Sequence, residues 1–375
     1  MAFKPTLKAV ISPVFMRIAP LHTWITPAAQ PFLIAGPCGA ESYGQLRTTA
    51  LQLQSTGVVS LLRAGVWKPR TRPNAFEGKG EEALRWLKEL RGDTGIKVAV
   101  EVANAHHTEL ALTYGIDVLW IGARTTGNPF NVQEIADALK GVKVPVLIKN
   151  PVHADLQLWI GAIERIYNSG ITQLAAVHRG FYFYGKTKYR NKPLWQLPIE
   201  LRTIFPGLPL ICDPSHICGS RELIPQVAQK ALDLGMEGLM IESHFDPANA
   251  LSDARQQLTP ADLEQMIKGL VLRKESCRDQ ESINRLAELR HMIDEIDDEI
   301  VNALKKRIQA IEEIGAYKKE HNITIFQLER WQEILRTRGQ WADKLGLSRQ
   351  HIEKLCQLLH EESIRVQNEV MNRKD

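Results

Sequence analysis

No proline follows Pro260, although the chain has 19, and only three of its 25 glycines (Gly315, Gly339 and Gly346) lie beyond residue 280. The end of the chain thus lacks the residues that tight turns demand, which excludes a loop-rich architecture there and leaves long helices. Cysteine is scarce as well. Five of them, an odd number at irregular spacing in 375 residues, exclude a disulfide framework and point to a reducing compartment, the cytoplasm. No apolar run reaches membrane-spanning length, and Pro5, Pro13 and Pro20 interrupt any apolar stretch beside Lys4, Lys8 and Arg17, so no membrane contact and no leader is expected. Residues 1–30 read as an extension at the base of the first domain. The net charge is only +4. Up to residue 280 there are 31 Lys and Arg against 25 Asp and Glu, and after it 16 against 18, so neither half has the basic face of a nucleic-acid binder.

What is present before the proline-free end is a series of short apolar runs, at 32–35, 58–62, 97–100, 118–121, 144–148, 174–177, 210–212 and 238–241. Runs of this length separated by helix-length polar segments predict a parallel sheet, and eight of them predict a closed (β/α)8 barrel within residues 1–272. Each run leads into residues with chemical capability: Cys38, Arg63, Glu101, Arg124, Lys149, His178 with Arg179, Asp213 with His216, and Glu242. In this fold the chemistry sits at the C-terminal ends of the strands.

Two constellations emerge. Arg63, Lys68, Arg70, Arg124, Lys149 and Arg179 would converge on one mouth, where mutual repulsion makes sense only with anionic ligands such as phosphorylated or carboxylated substrates. Cys38, His216, Glu242 and Asp253 would meet if the first, seventh and eighth strands adjoin. A thiolate, an imidazole and two carboxylates suit a divalent transition metal (manganese, iron, cobalt or zinc). Spacing leaves other readings open: a free cysteine is often core, and Asp253 could cap a helix.

The segments IAGPC (34–38), RAGVWKPRT (63–71), IGART (121–125), LIKNP (147–151), HRG (178–180), DPSH (213–216) and MIESH (240–244) resemble the motifs of metal-dependent 3-deoxy-D-arabino-heptulosonate 7-phosphate (DAHP) synthases over about residues 30–270. The resemblance is closest to the group that carries the barrel alone. It implies that Cys38, His216, Glu242 and Asp253 hold the metal, that Arg63, Lys68, Arg124, Lys149 and Arg179 bind phosphoenolpyruvate, and that Arg70 with Thr71 clamps erythrose 4-phosphate. Lys68 could also protonate the aldehyde oxygen, while Glu101 and His244 would position water or merely brace the mouth. A sister family that condenses arabinose 5-phosphate into an eight-carbon acid phosphate (KDO8P) typically has a KANR-like segment where this chain has Lys68-Pro69-Arg70-Thr71, which favours the four-carbon aldose.

Past a polar hinge at 273–281, the apolar positions Ile283, Leu286, Ile293, Ile296, Ile300, Leu304, Ile308, Ile311 and Ile314 recur at helical spacing and predict one long amphipathic helix to about residue 321. A second helix is expected over 327–341, and a third begins after Ser348, a capping residue. This all-α three-helix unit occupies 282–375. Arg307 and Lys318, eleven positions apart, lie about 20° apart around the helix and roughly 16 Å apart along it. Arg290, seventeen positions before Arg307, is about 100° off that face and roughly 25 Å away, so it can serve the same ligand only from a second, antiparallel copy. Ser363 and Gln367 form a polar patch at i and i+4 on the third helix.

LAELRHMIDEIDDEIVNAL followed by KRIQAIEEIGAYK resembles the first helix of the all-helical chorismate mutases, and the pattern extends over about 282–370. That resemblance implies a homodimer formed through the helical unit. Arg290 of the second copy, Arg307 and Arg330 would hold the carboxylates of chorismate, Lys318 and Gln367 the ether oxygen, and Ser363 would support the site. Relatives often place acidic groups at the positions of Gln327 and Trp331, so recognition of the substrate hydroxyl differs here. A sensing and dimerisation module without turnover is the alternative. Since the barrel has no evident regulatory domain of its own, the helical unit, with a pocket for chorismate or prephenate, is also expected to regulate it.

Overall fold

The computed structural model describes residues 16–68, 76–274, 276 and 279–373. The chain divides into two compact units, Met1–Glu275 and Ser276–Asp375.

Eight parallel strands close the first unit in sequence order: β1 (Phe32–Gly36), β2 (Leu61–Ala64), β3 (Val98–Val102), β4 (Val118–Ile121), β5 (Val146–Lys149), β6 (Leu174–His178), β7 (Leu210–Cys212) and β8 (Gly238–Glu242), with β8 returning to β1. Seven of the eight expected runs overlap their strand by three or more residues. The run at 58–62 is offset, because β2 starts only at Leu61 and continues through Arg63 to Ala64. Residues 58–60 lead in, with the Ser60 amide donating to the Leu33 carbonyl and the Ser60 hydroxyl accepting from the Ala28 amide.

Alternation along each strand separates two cores. Ile34, Leu61, Ala99, Trp120, Leu147, Val177, Ile211 and Met240 fill the barrel interior, whereas their neighbours Leu33, Leu62, Val100, Leu119, Ile148, Ala176, Leu210 and Leu239 pack outward against the helices. Leu21, with Trp24 and Ile25 beside it, joins the inner cluster together with the strand-start residue Phe32. The step of two carries inward polarity to the other rim. Two residues past Leu61, Ala99, Leu147, Val177, Ile211 and Met240 stand Arg63, Glu101, Lys149, Arg179, Asp213 and Glu242. His178 falls on the opposite phase. It is buried outside the barrel, 5.2 Å from the Trp195 ring and 5.8 Å from Phe181, and burial, with Arg179 adding to it, pushes its pKa down to about 3.

The second unit consists of three helices, Gln280–Glu320, Leu328–Lys344 and Arg349–Asn372. The long helix begins inside the expected hinge because Asp279 caps it, accepting from the Ser282 amide at 2.7 Å. It stops where Asn322 turns left-handed (φ 54°). Ser348 caps the third helix through the His351 amide, as its place in the sequence suggests. The long helix is about 60 Å long. Its first half leaves its apolar stripe in solvent, with Met292, Ile293, Ile296 and Ile300 each more than half exposed, whereas Ile311 in its second half is buried.

Candidate active sites

The barrel mouth holds a cavity of about 500 Å³ lined by Lys68, Glu101, Arg124, Lys149, Arg179, Arg190, Asn191, His216 and Asp253, among others. Four of the six cations expected to converge there do so. Arg63 lies deeper, 2% exposed, with Nη2 3.2 Å from Glu242 Oε1 and its guanidinium 5.1 Å from the Trp120 ring. Arg70 and Thr71 lie outside the described residues. Burial lowers Arg179 to about 10, and its backbone amide is pinned by Asn150 Oδ1 at 2.7 Å.

Cys38 Sγ, an oxygen of Glu242 and an oxygen of Asp253 all lie within 4.8 Å of one another. The short helix Pro214–Cys218 brings His216 beside Glu242, its Nε2 3.8 Å from Glu242 Oε1, although it does not lie within that span of all three. Asp213 builds this corner. It caps that helix at the His216 amide, takes the His216 ring at Nδ1 (2.8 Å) and accepts from Lys149 Nζ at 2.7 Å. Burial opposes the ionisation of Asp213, but His216 and Lys149 outweigh it and hold its carboxyl well below the usual range. Burial in turn lowers the pKa of His216 against the pull of Asp213, and a neutral ring that donates Nδ1–H to Asp213 leaves its lone pair on Nε2. Burial, reinforced by Glu242, pushes the Cys38 thiol up to about 11. Lys68 Nζ donates to Cys38 Sγ at 2.9 Å and also to the Cys38 carbonyl. This mixed donor set, an imidazole, two carboxylates and a thiol beside a lysine, fits a borderline divalent ion.

Sequence reasoning missed the residues that tie these groups together. Trp120, inward on β4, donates to Glu101 Oε2 and underlies both Arg63 and Lys149. Its phase in the strand was the available signal. Gln257 Oε1 receives the Cys38 amide, Gln256 Nε2 reaches Glu242 Oε2 at 2.6 Å, and Arg190 bridges Asp253 and Gln256. Nothing in periodicity or strand-end position marks these three. Neither Glu101 nor His244 belongs to the metal cluster: Glu101 lines the cavity, and His244 is buried with Nδ1 accepting from the Asp246 amide.

In the helical unit, Arg307, Lys318, Arg330, Ser363 and Gln367 line a second cavity of about 430 Å³. Arg307 Nη2 donates to Ser363 Oγ at 2.8 Å, and Lys318 Nζ donates to the Ile325 carbonyl at 2.7 Å. Burial lowers the pKa of both cations, and Gln367 Oε1 is buried without a partner. Arg290 is exposed and is not part of this cavity. Gln327 and Trp331 are both in its wall, Trp331 stacked on His360 with ring centroids 4.2 Å apart. No carboxylate is among the lining residues.

A closed parallel barrel whose C-terminal rim combines converging cations with thiol, imidazole and carboxylate groups has the layout expected of metal-assisted enzymes that act on anionic substrates, and it is followed here by an all-helical unit with a cationic pocket. The chain belongs to the DAHP synthetase I family, whose profile matches residues 23–276, and a second profile, chorismate mutase type II, matches residues 289–368. The family is generally metal-dependent. Among similar proteins, a phospho-2-dehydro-3-deoxyheptonate aldolase of Thermotoga maritima is 33% identical over 226 residues, which are 60% of this chain and 64% of that protein. The match thus spans less than two-thirds of that relative's length. A 2-dehydro-3-deoxyphosphooctonate aldolase of Helicobacter pylori is 28% identical over 277 residues, covering 67% of this chain and 98% of its own. The crystal structure of the Thermotoga maritima DAHP synthase superimposes with a TM-score of 0.56 at 30% identity, covering 63% of this chain and 67% of that one.

Proposed function

We propose that the chain carries two activities: condensation of phosphoenolpyruvate with erythrose 4-phosphate in the barrel, releasing phosphate, and rearrangement of chorismate to prephenate in the helical unit. The single observation that carries the first reading is the convergence of Lys68, Arg124, Lys149 and Arg179 on one cavity whose wall also includes His216 and Asp253. Carbon 3 of the enol phosphate bonds to the aldehyde carbon, water adds at carbon 2, and phosphate leaves from that carbon. Two polyanions must be held together against their repulsion, and fixed cations supply that without reorganisation. Lys149 and Arg179 would hold the phosphoenolpyruvate, Arg63 would set the charge beneath it, and Arg124 would reach its phosphate from the rim. Lys68, hydrogen-bonded to Cys38, would give a proton to the aldehyde oxygen. Cys38, His216, Glu242 and Asp253 would hold the ion (manganese, iron, cobalt or zinc), which supplies Lewis acidity at that oxygen. Arg70 and Thr71 would clamp the aldose phosphate.

The mutase reaction needs no nucleophile, only a cationic mould for a chair-like geometry. Arg307 and Arg330 would take carboxylates, Lys318 and Gln367 the ether oxygen, and Ser363 orients Arg307. Arg290 of a second copy would complete the pocket. The exposed apolar stripe around it, Leu289 to Ile300, supports pairing of two long helices in a homodimer. Occupation of this pocket by prephenate is further proposed to restrain the synthase, a coupling of about 1 to 3 kcal/mol. Equal prephenate sensitivity in the full chain and in a form truncated near residue 275, or no inhibition of the full chain, would reject the regulatory part.

Both activities are to be measured on one purified preparation. Phosphate release with erythrose 4-phosphate and not with arabinose 5-phosphate, together with chorismate turnover, is the expected result. Preference for the pentose phosphate would make the barrel an octonate-type synthase, and an absence of chorismate turnover would reduce the helical unit to a sensing module.

A further inference from the structure

Each carboxylate of the candidate metal cluster has one oxygen tied back and the other left toward the cluster. Glu242 Oε2 accepts from Gln256 Nε2 at 2.6 Å, while Oε1, 3.2 Å from Arg63 Nη2 beneath it, lies 3.8 Å from His216 Nε2. Asp253 Oδ1 is 3.1 Å from Arg190 Nη1, while Oδ2 lies 3.6 Å from Cys38 Sγ. The two ties are one device, because the same Arg190 Nη1 donates to Gln256 Oε1 at 2.8 Å. A guanidinium only donates. It therefore fixes which end of the Gln256 amide faces it, and the NH2 end must face Glu242.

Arg190 is itself anchored to the segment that carries His216. Its amide donates to the Cys218 carbonyl, the Asn191 amide to the Ile217 carbonyl, and Asn191 Nδ2 to the His216 carbonyl at 2.6 Å. Its stem lies against Gly219, where φ is +70° and a Cβ would come within 2.6 Å of the Arg190 Cβ, so only glycine allows the approach. Asp253 holds a left-handed backbone (φ 46°), which a non-glycine residue keeps only when its surroundings impose it. The Arg190 contact on its side chain is one such constraint.

We propose that Arg190, acting through Gln256, is a positioning residue that makes Glu242 and Asp253 single-oxygen donors and couples them to the His216 turn. A carboxylate free to chelate through both oxygens would occupy positions that a catalytic ion must keep open for water or substrate. The device is thus a means of leaving the site open, placed on the loop between β6 and β7 whose Tyr182, Arg190 and Asn191 also line the cavity.

The proposal rests on the metal reading given above, and the experiment separates the two. Full-length protein, its Arg190→Ala, Arg190→Lys, Gln256→Leu and Cys38→Ala variants, and the double variant of Arg190→Ala with Gln256→Leu are stripped with chelator. Each is then titrated with Co(II) and Mn(II) against a chromophoric competitor, with the Co(II) absorption bands recorded and thermal melting of the stripped protein checking the fold. Arg190→Ala and Gln256→Leu should each bind about 10 to 100-fold more weakly and shift the Co(II) ligand-field bands. The double variant should be little worse than either single one, since one network is broken once, and Arg190→Lys should recover part of the loss. Retention of metal by Cys38→Ala would overturn the metal reading. Loss in Cys38→Ala, with wild-type affinity and bands in Arg190→Ala, would overturn this proposal alone, even if the KM for phosphoenolpyruvate rises. If Arg190→Ala melts much lower than the parent, Arg190→Lys and Gln256→Leu carry the decision on the same criteria.

Discussion

The two cavities of this chain are assembled by different means. In the barrel, the described groups that could touch substrate or metal come from the ends of the strands and the connections just after them within one unit, and several are fixed by a buried partner: Arg63 by Glu242, Lys149 and His216 by Asp213, Glu242 by Gln256. In the helical unit, the cavity is bounded by three helices, and the cation expected to complete it, Arg290, stands exposed on the same helix. A strand fixes direction every second residue, so chemistry can be concentrated at one rim. A long helix spreads its residues over some 60 Å, so that Arg290 could serve this cavity only from a second copy.

If that contrast holds, Cys38→Ala should remove synthase turnover by more than about a thousandfold, given that Lewis acidity supplies several kcal/mol, and should remove the bound metal, while chorismate turnover stays near the parent value. Parallel assays of both reactions, before and after chelation, check this. Comparable loss of both would mean that the sites are not independent. Lys318→Ala should cost the mutase about 10²- to 10³-fold in kcat with synthase activity unchanged, the usual effect of deleting a donor to developing negative charge. A pH series adds a smaller effect. Burial holds the Lys318 pKa below its ordinary value and the cation is the active form, so mutase kcat/KM should fall as pH rises through a midpoint below that of a free lysine, near 10.4. Lys318→Arg, which stays charged, should remove that limb. The last effect belongs to the barrel scaffold and is one of stability, not of rate. His178 has its folded pKa depressed to about 3, so its contribution to stability is present above the unfolded value near 6.5 and is lost as pH falls through about 3. Denaturant midpoints measured between those limits should fall less steeply in His178→Leu than in the parent.

The strands and their order were legible because each buried run is bounded by turn residues, and the inward residues Arg63, Lys149 and Glu242 because the step of two continues past the apolar core. His178 illustrates the limit of strand-end reasoning: adjacent to Arg179 in sequence, it faces the other way. Arg190 and Gln256 were invisible for a related reason. They sit in connections without period, and their role arises from three segments meeting in space, at Asp253, at Glu242 and at the His216 turn. In the helical unit, helical phase alone separated Arg290 from Arg307. Composition could not anticipate the stack of Trp331 on His360, which gives the cavity an aromatic wall.

The central contrast, a barrel site gathered within one unit and a helical site proposed to be shared between two copies, is tested most directly by mixing subunits. Arg290→Ala and Arg307→Ala proteins, each expected to be nearly inactive as a mutase and fully active as a synthase, are to be mixed, exchanged and assayed for both reactions. Recovery of about one mutase site per heterodimer, with synthase activity unchanged, is the predicted result. Heterodimers that form and recover no mutase activity would contradict it.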